Sequence, residues 1–146
     1  MSHILDGKNI PIRNLAALVE TCAVNGGQCM EGQRTHKWYG QWVGDTPMPA
    51  GLKVEDLGKC DHAIRVPGCA YEIGIRDNHD GTYSLLYDFY HAGGLSQALG
   101  GDTLPKLAQS YATEMLKMEH RRLGGAVESQ EVLADGSVRL RLLAVR

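Results

Sequence analysis

Tyr71-Glu72-Ile73-Gly74-Ile75-Arg76, then Asn78-His79-Asp80-Gly81, then Tyr83-Ser84-Leu85-Leu86-Tyr87-Asp88: these residues decide the fold. Tyr71, Ile73 and Ile75 recur at every second position, as do Tyr83, Leu85 and Tyr87, which is the period of a strand with one face buried. Asp80-Gly81 supplies the backbone angles of a tight reversal, so the spacing predicts hairpin strands over residues 70–76 and 82–88. The alternate positions hold Glu72 and Arg76 on one strand and Ser84 and Asp88 on the next. A solvated polar face is the expectation for them.

Moving toward the amino terminus, Pro67-Gly68 reads as a turn preceded by a strand over residues 60–66. Residues 44–59 contain Asp45, Pro47, Pro49, Gly51 and Gly58, which break any periodicity and predict an excursion loop, long enough to suggest function. Trp38, Tyr39 and Trp42 mark a strand around residues 37–43. Before it, Asn14 is placed to cap a helix with Leu15, Leu18, Val19 and Cys22 on one face, ended by Gly26-Gly27. Residues 3–12 read as an extended opening segment.

Toward the carboxyl terminus, a glycine-rich loop leads to the longest helix, residues 105–123, with Thr103 as the cap and Pro105 in the first turn. Its apolar stripe is Leu104, Leu107, Ala108, Tyr111, Ala112, Met115 and Met118. A hairpin over residues 126–133 and 138–144 turns at Asp135-Gly136. The order is β-α-β-β-β-β-α-β-β. Runs of hairpins favour an α+β domain, an antiparallel sheet with two helices packed on one face. The reading is one domain over residues 1–146, with residues 44–59 as a loop insertion.

Of the 146 residues, 43% are hydrophobic and 22% charged, near globular averages, which argues against a disordered or membrane class. No apolar run approaches the roughly 20 residues that cross a bilayer, and no leader is recognised, so the expected location is the cytoplasm. The net charge of −2 comes from scattered charges, unlike the footprint of a nucleic-acid binder. The densest basic group, Lys117, His120, Arg121 and Arg122, sits where a helix dipole favours cations, and it carries the nucleic-acid alternative. Cys22, Cys29, Cys60 and Cys69 read as free thiols.

Several motifs, in order along nearly the whole chain, resemble the hypothetical chloroplast open reading frame thirty-five family of cyanobacteria, plastids and phages. They are the opening Met1-Ser2-His3, Ile12-Arg13-Asn14-Leu15, Tyr71 to Ile75, Tyr83 to Asp88, Gln109-Ser110-Tyr111-Ala112 and Asp135-Gly136-Ser137. The resemblance implies a family of unknown function with no catalytic residues to carry over, and it adds the stroma and the infected host cytoplasm as settings. Residues 44–59 look inserted relative to that family, and the four cysteines lie outside its pattern.

The candidate sites are few. Trp38, Tyr39 and Trp42 precede one loop, while Phe89, Tyr90 and His91 open another. If both loops share one end of the sheet, the rings form an aromatic cleft for a protein partner, with a small molecule as the alternative. Cys60, His62 and Cys69 form the weaker metal alternative, because structural zinc sites normally show two close ligand pairs and only one is present. Glu72 and Asp88 could in principle do acid–base work. No assembled catalytic set and no cofactor motif is recognised. The reading is a non-enzymatic binding or adaptor module.

Overall fold

The structure of the protein, a computed structural model, describes residues 4–6 (as backbone), 12–41, 48 and 52–143. Its elements are β1 (Ile4–Asp6), α1 (Leu15–Val24), β2 (Gln28–Glu31), β3 (His62–Arg65), β4 (Glu72–Asp77), β5 (Tyr83–Asp88), α2 (Leu95–Leu99), α3 (Pro105–Arg122), β6 (Ala126–Val132) and β7 (Val138–Leu143). One-turn 3-10 helices at Val54–Asp56 and His91–Gly93 interrupt the connections. The order of strands and long helices is the one expected, in an α+β fold; α2, within the glycine-rich loop, was not anticipated.

Five strands form one antiparallel sheet in the order β1-β5-β4-β3-β2. Its centre is the hairpin the alternation demands: Gly74 faces Leu86 and Ile75 faces Leu85. One sheet face presents Ile64, Ile73, Ile75, Leu85 and Tyr87 to both long helices, which contribute Ala17, Leu18 and Cys22 from α1 and Leu107 and Tyr111 from α3. Each such aliphatic side chain, fully withdrawn from water, contributes about 1.5–3 kcal/mol. Tyr111 also ties the helices together, its hydroxyl accepting the main-chain N–H groups of Arg13 (2.9 Å) and Asn14 (3.1 Å). Asn14 caps α1 as expected, its side-chain oxygen accepting from Ala17 N at 3.0 Å.

Four local expectations are corrected. The strand placed at residues 37–43 lies earlier, at β2, because the Cys22 carbonyl accepts from Gly27 N (2.8 Å) and reverses the chain at once. Residues 37–41 belong to no strand, and 42–43 lie outside the described residues. The residue before α3 is Leu104, not Thr103; it is wholly buried at φ 54°, so core packing rather than a side-chain cap sets this entry. In the stripe of α3, Ala112 is exposed, while Thr113 and Glu114 are buried. Glu114 is paired at 2.7 Å with Lys117, which also donates to Gln130 of β6, so the terminal hairpin covers this flank. That hairpin forms a separate two-stranded sheet beside α3 rather than extending the main one.

The second sheet face is also covered. Leu57 and Leu86 pack there with Trp38, Met48 and Leu52, so the excursion between β2 and β3 forms a third layer. This overturns the expected solvated face: Glu72 is 3% exposed and Asp88 0%. Ser84 is buried as well, bonded to the Asn78 side chain at the hairpin turn.

Candidate functional site

Burying two carboxylates is unfavourable unless their oxygens are satisfied, and here main-chain amides of the excursion do much of it. Glu72 Oε1 accepts from Lys37 N (3.0 Å) and from the Gln33 side chain (3.1 Å), while Glu72 N donates to the Lys37 carbonyl (2.8 Å). Asp88, the last residue of β5, accepts from Tyr39 N (3.1 Å) on one oxygen and from Tyr90 N (3.0 Å) on the other. The excursion is therefore fastened to the sheet end at two points. An ionised carboxylate can only accept hydrogen bonds, so both side chains act as holding groups in this arrangement.

Between them, His36 lies on the glycine of the central strand. Its backbone N–H donates to the Gly58 carbonyl at 2.9 Å, and its Nδ1 lies 3.3 Å from the Glu72 carbonyl. A carbonyl only accepts, so the proton belongs on Nδ1. Nε2 is buried with no hydrogen-bond partner among the described residues. Burial pulls the imidazole pKa below its usual value, against the smaller raising effects of the Glu72 and Lys37 backbone and of the Glu72 and Asp88 charges.

The Asp88 clip brings aromatic rings from both loops together. Tyr39 and Tyr90 meet edge to face with centroids 6.0 Å apart, and Tyr90 and His91 stack at a tilt, 4.4 Å apart. Tyr39 is 42% exposed, so the cluster opens to solvent. Tyr71, at the start of β4, stands near: burial, then the Asp88 charge and the phenols of Tyr39 and Tyr90, pushes its hydroxyl pKa up. Tyr71 also packs against the helix-side core, its ring lying where a Cβ on Gly93 would fall.

Of the six aromatic residues singled out, Tyr39, Tyr90 and His91 come together. Trp38 instead packs against the second-face core, its indole over Gly58, and Phe89 packs on the helix side. Trp42 lies outside the described residues. Cys60, His62 and Cys69 do not converge: Cys60 Sγ donates to the Gln33 carbonyl, His62 Nδ1 accepts from Gly32 N, and Cys69 joins the helix-side core. No cluster of three metal-ligating side chains occurs among the described residues. In the basic run, Lys117 is paired with Glu114 and Arg122 with Glu119, while His120 meets the Leu143 carbonyl.

The fold and site define a three-layered α+β domain whose sheet ends in a carboxylate-clipped aromatic cluster. Residues 49–141, well over half of the chain, match the family described as a protein of unknown function, DUF1257, and the chain belongs to that family. Asp88, Tyr90 and His91 lie inside the matched stretch, Tyr39 and α1 outside it. No curated protein and no solved structure matches the chain. No helix among the described residues is long and apolar enough to cross a membrane.

Proposed function

We propose that this protein is a non-enzymatic binding module that docks a protein partner through Tyr39, Tyr90 and His91. The observation that carries this reading is the Asp88 clip. One buried side chain holds amides 51 residues apart in sequence, at positions 39 and 90, so the rings are set in place before any partner arrives. Pre-ordered aromatic side chains lose little conformational freedom on binding and present large amphipathic surfaces, the qualities of interface anchors. The partner is a segment that lays an apolar or aromatic side chain against Tyr39 and Tyr90. The finer family assignment, to the hypothetical chloroplast open reading frame thirty-five group, with a cytoplasmic, stromal or infected-host setting, belongs to the same proposal.

The test is affinity capture with the wild type, with the Tyr39→Ala/Tyr90→Ala double variant, and with Leu116→Ala as a control on exposed α3. A prey lost only in the double variant supports the reading; identical prey in all three overturns it. Thermal-shift screening against small metabolites separates the ligand-binding alternative, which predicts stabilisation by a small molecule that the double variant no longer shows.

A further inference from the structure

A cavity of about 260 Å³ opens between the end of α1, the turn after β3, α2 and the first turns of α3, and it shares no residue with the aromatic cluster. Most of its lining is apolar. Cys22, Ile64 and Leu107 are 4%, 2% and 7% exposed, and Val66, Pro67 and Leu99 extend the same surface. Benzene occupies an apolar cavity of about 150 Å³, so this one has room for a compact body of roughly ten non-hydrogen atoms.

The lining turns polar toward α3. Asn25, just past the end of α1, donates its Nδ2 to the Thr21 carbonyl and to Ser110 Oγ, both at 2.7 Å, which joins α1 to α3 at the cavity. Ser110 Oγ is thereby an acceptor, and its own O–H, with no acceptor among the described residues, is left to donate. Lys106 lines the cavity one helical turn before Ser110, on the same face of α3. Its stem runs over Gly100, where a Cβ would stand 3.2 Å from Lys106 Cγ. No acidic side chain lines the cavity, and none pairs with Lys106, among the described residues. Arg65 also borders the space, but its guanidinium serves the other sheet face, 3.8 Å from Glu72. The start of α3, which has no side-chain cap, adds the positive pole of the helix dipole on the Lys106 side.

From this arrangement we infer that the cavity binds a small monocarboxylic acid, its apolar body against Cys22, Ile64 and Leu107 and its carboxylate accepting from Lys106 Nζ and the Ser110 hydroxyl. A mostly apolar pocket with a few convergent polar groups is the usual form of a small-molecule site. The charge selects the head group. One cation and one hydroxyl match a singly charged carboxylate, whereas a phosphate ester brings about twice the charge and three strong acceptor oxygens, more than these donors satisfy. The site is independent of the partner-docking surface at Tyr39 and Tyr90.

The probe is phenylpropionate, with phenylpropanol as its uncharged counterpart, each titrated into the full chain and followed by amide NMR shifts. The acid should give saturable shifts at Thr21, Cys22, Ile64, Val66 and Leu107, and the alcohol should bind more weakly. Lys106 is exposed, so Lys106→Gln keeps the fold; it should weaken the acid roughly fivefold and leave the alcohol unchanged. Ala98→Trp, at an exposed position of the lining, should block both probes. The Tyr39→Ala/Tyr90→Ala double variant should bind the acid as the wild type does, which keeps this inference separate from the docking proposal. Equal affinity for acid and alcohol, unchanged acid affinity in Lys106→Gln, binding that survives Ala98→Trp, shifts confined to Tyr39, Tyr90 and His91, or no saturable shift up to the solubility limit of the acid overturns the inference.

Discussion

The imidazole of His36 lies so close to Gly74 that a Cβ on that glycine would stand 2.5 Å from His36 Cδ2 and 3.0 Å from Nε2. This contact lets the excursion settle on the sheet between its two fastening points, Glu72 and Asp88. A glycine inside a strand weakens pairing, and its presence at the centre of β4 is explained by the ring above it.

Gly74→Ala is therefore expected to destabilise the fold by roughly 1–3 kcal/mol, the usual result of forcing atoms into a packed core. The ring cannot swing aside freely, because Nδ1 is bonded at the Glu72 carbonyl. Urea denaturation should show a lower midpoint, with the slope unchanged if the native state stays intact.

His36 also sets a pH dependence. Its folded pKa lies below the ordinary 6.5 because burial disfavours the imidazolium, so under mildly acidic conditions the unfolded chain binds a proton that the folded chain does not. Stability should then fall as pH drops from about 6.5 toward the folded pKa, with a limiting slope of about 1.4 kcal/mol per pH unit, and level off below it. His36→Gln removes this contribution. Denaturation midpoints between about pH 5 and 7.5 should fall less steeply for the variant; parallel curves would assign the effect to other groups.

The helix-side half of the fold was legible because it rests on local pattern. Ile73, Ile75, Leu85 and Tyr87 alternate, Asn78 to Gly81 turn, and Leu107 and Tyr111 recur at helical spacing, so sequence order alone places them. The covered half was not legible. Glu72, Asp88 and His36 look like surface residues until main-chain amides of a segment without periodicity come to meet them, and that is a tertiary fact. The same distinction divides the aromatic residues. Their positions in loops were readable, whereas the retreat of Trp38 and Phe89 into the core depends on which face each loop crosses.

Asp88→Asn tests the clip itself. Asparagine retains one acceptor oxygen and turns an amide group toward the other N–H, leaving the amide of Tyr39 or Tyr90 unsatisfied. The expected loss is roughly 1–3 kcal/mol, with faster hydrogen exchange at both amides. If the rings bind a partner because they are held in place, affinity should weaken in this variant although neither ring has changed.

Tyr111→Phe tests the tie between the two long helices. The hydroxyl accepts from both Arg13 N and Asn14 N, and Tyr111 is only 4% exposed, so its removal strands two amides where water does not readily replace it. A loss of roughly 1–3 kcal/mol is expected. Asn14→Ala, which removes the cap on Ala17 N, should cost about 1 kcal/mol alone. The two effects should not add. The Tyr111 hydroxyl fixes the backbone from which the Asn14 side chain reaches into the helix, so once it is gone the cap is already loosened. A double-mutant cycle should show the pair losing less than the sum of the singles. Strict additivity would mean that α1 keeps its capped first turn without support from α3.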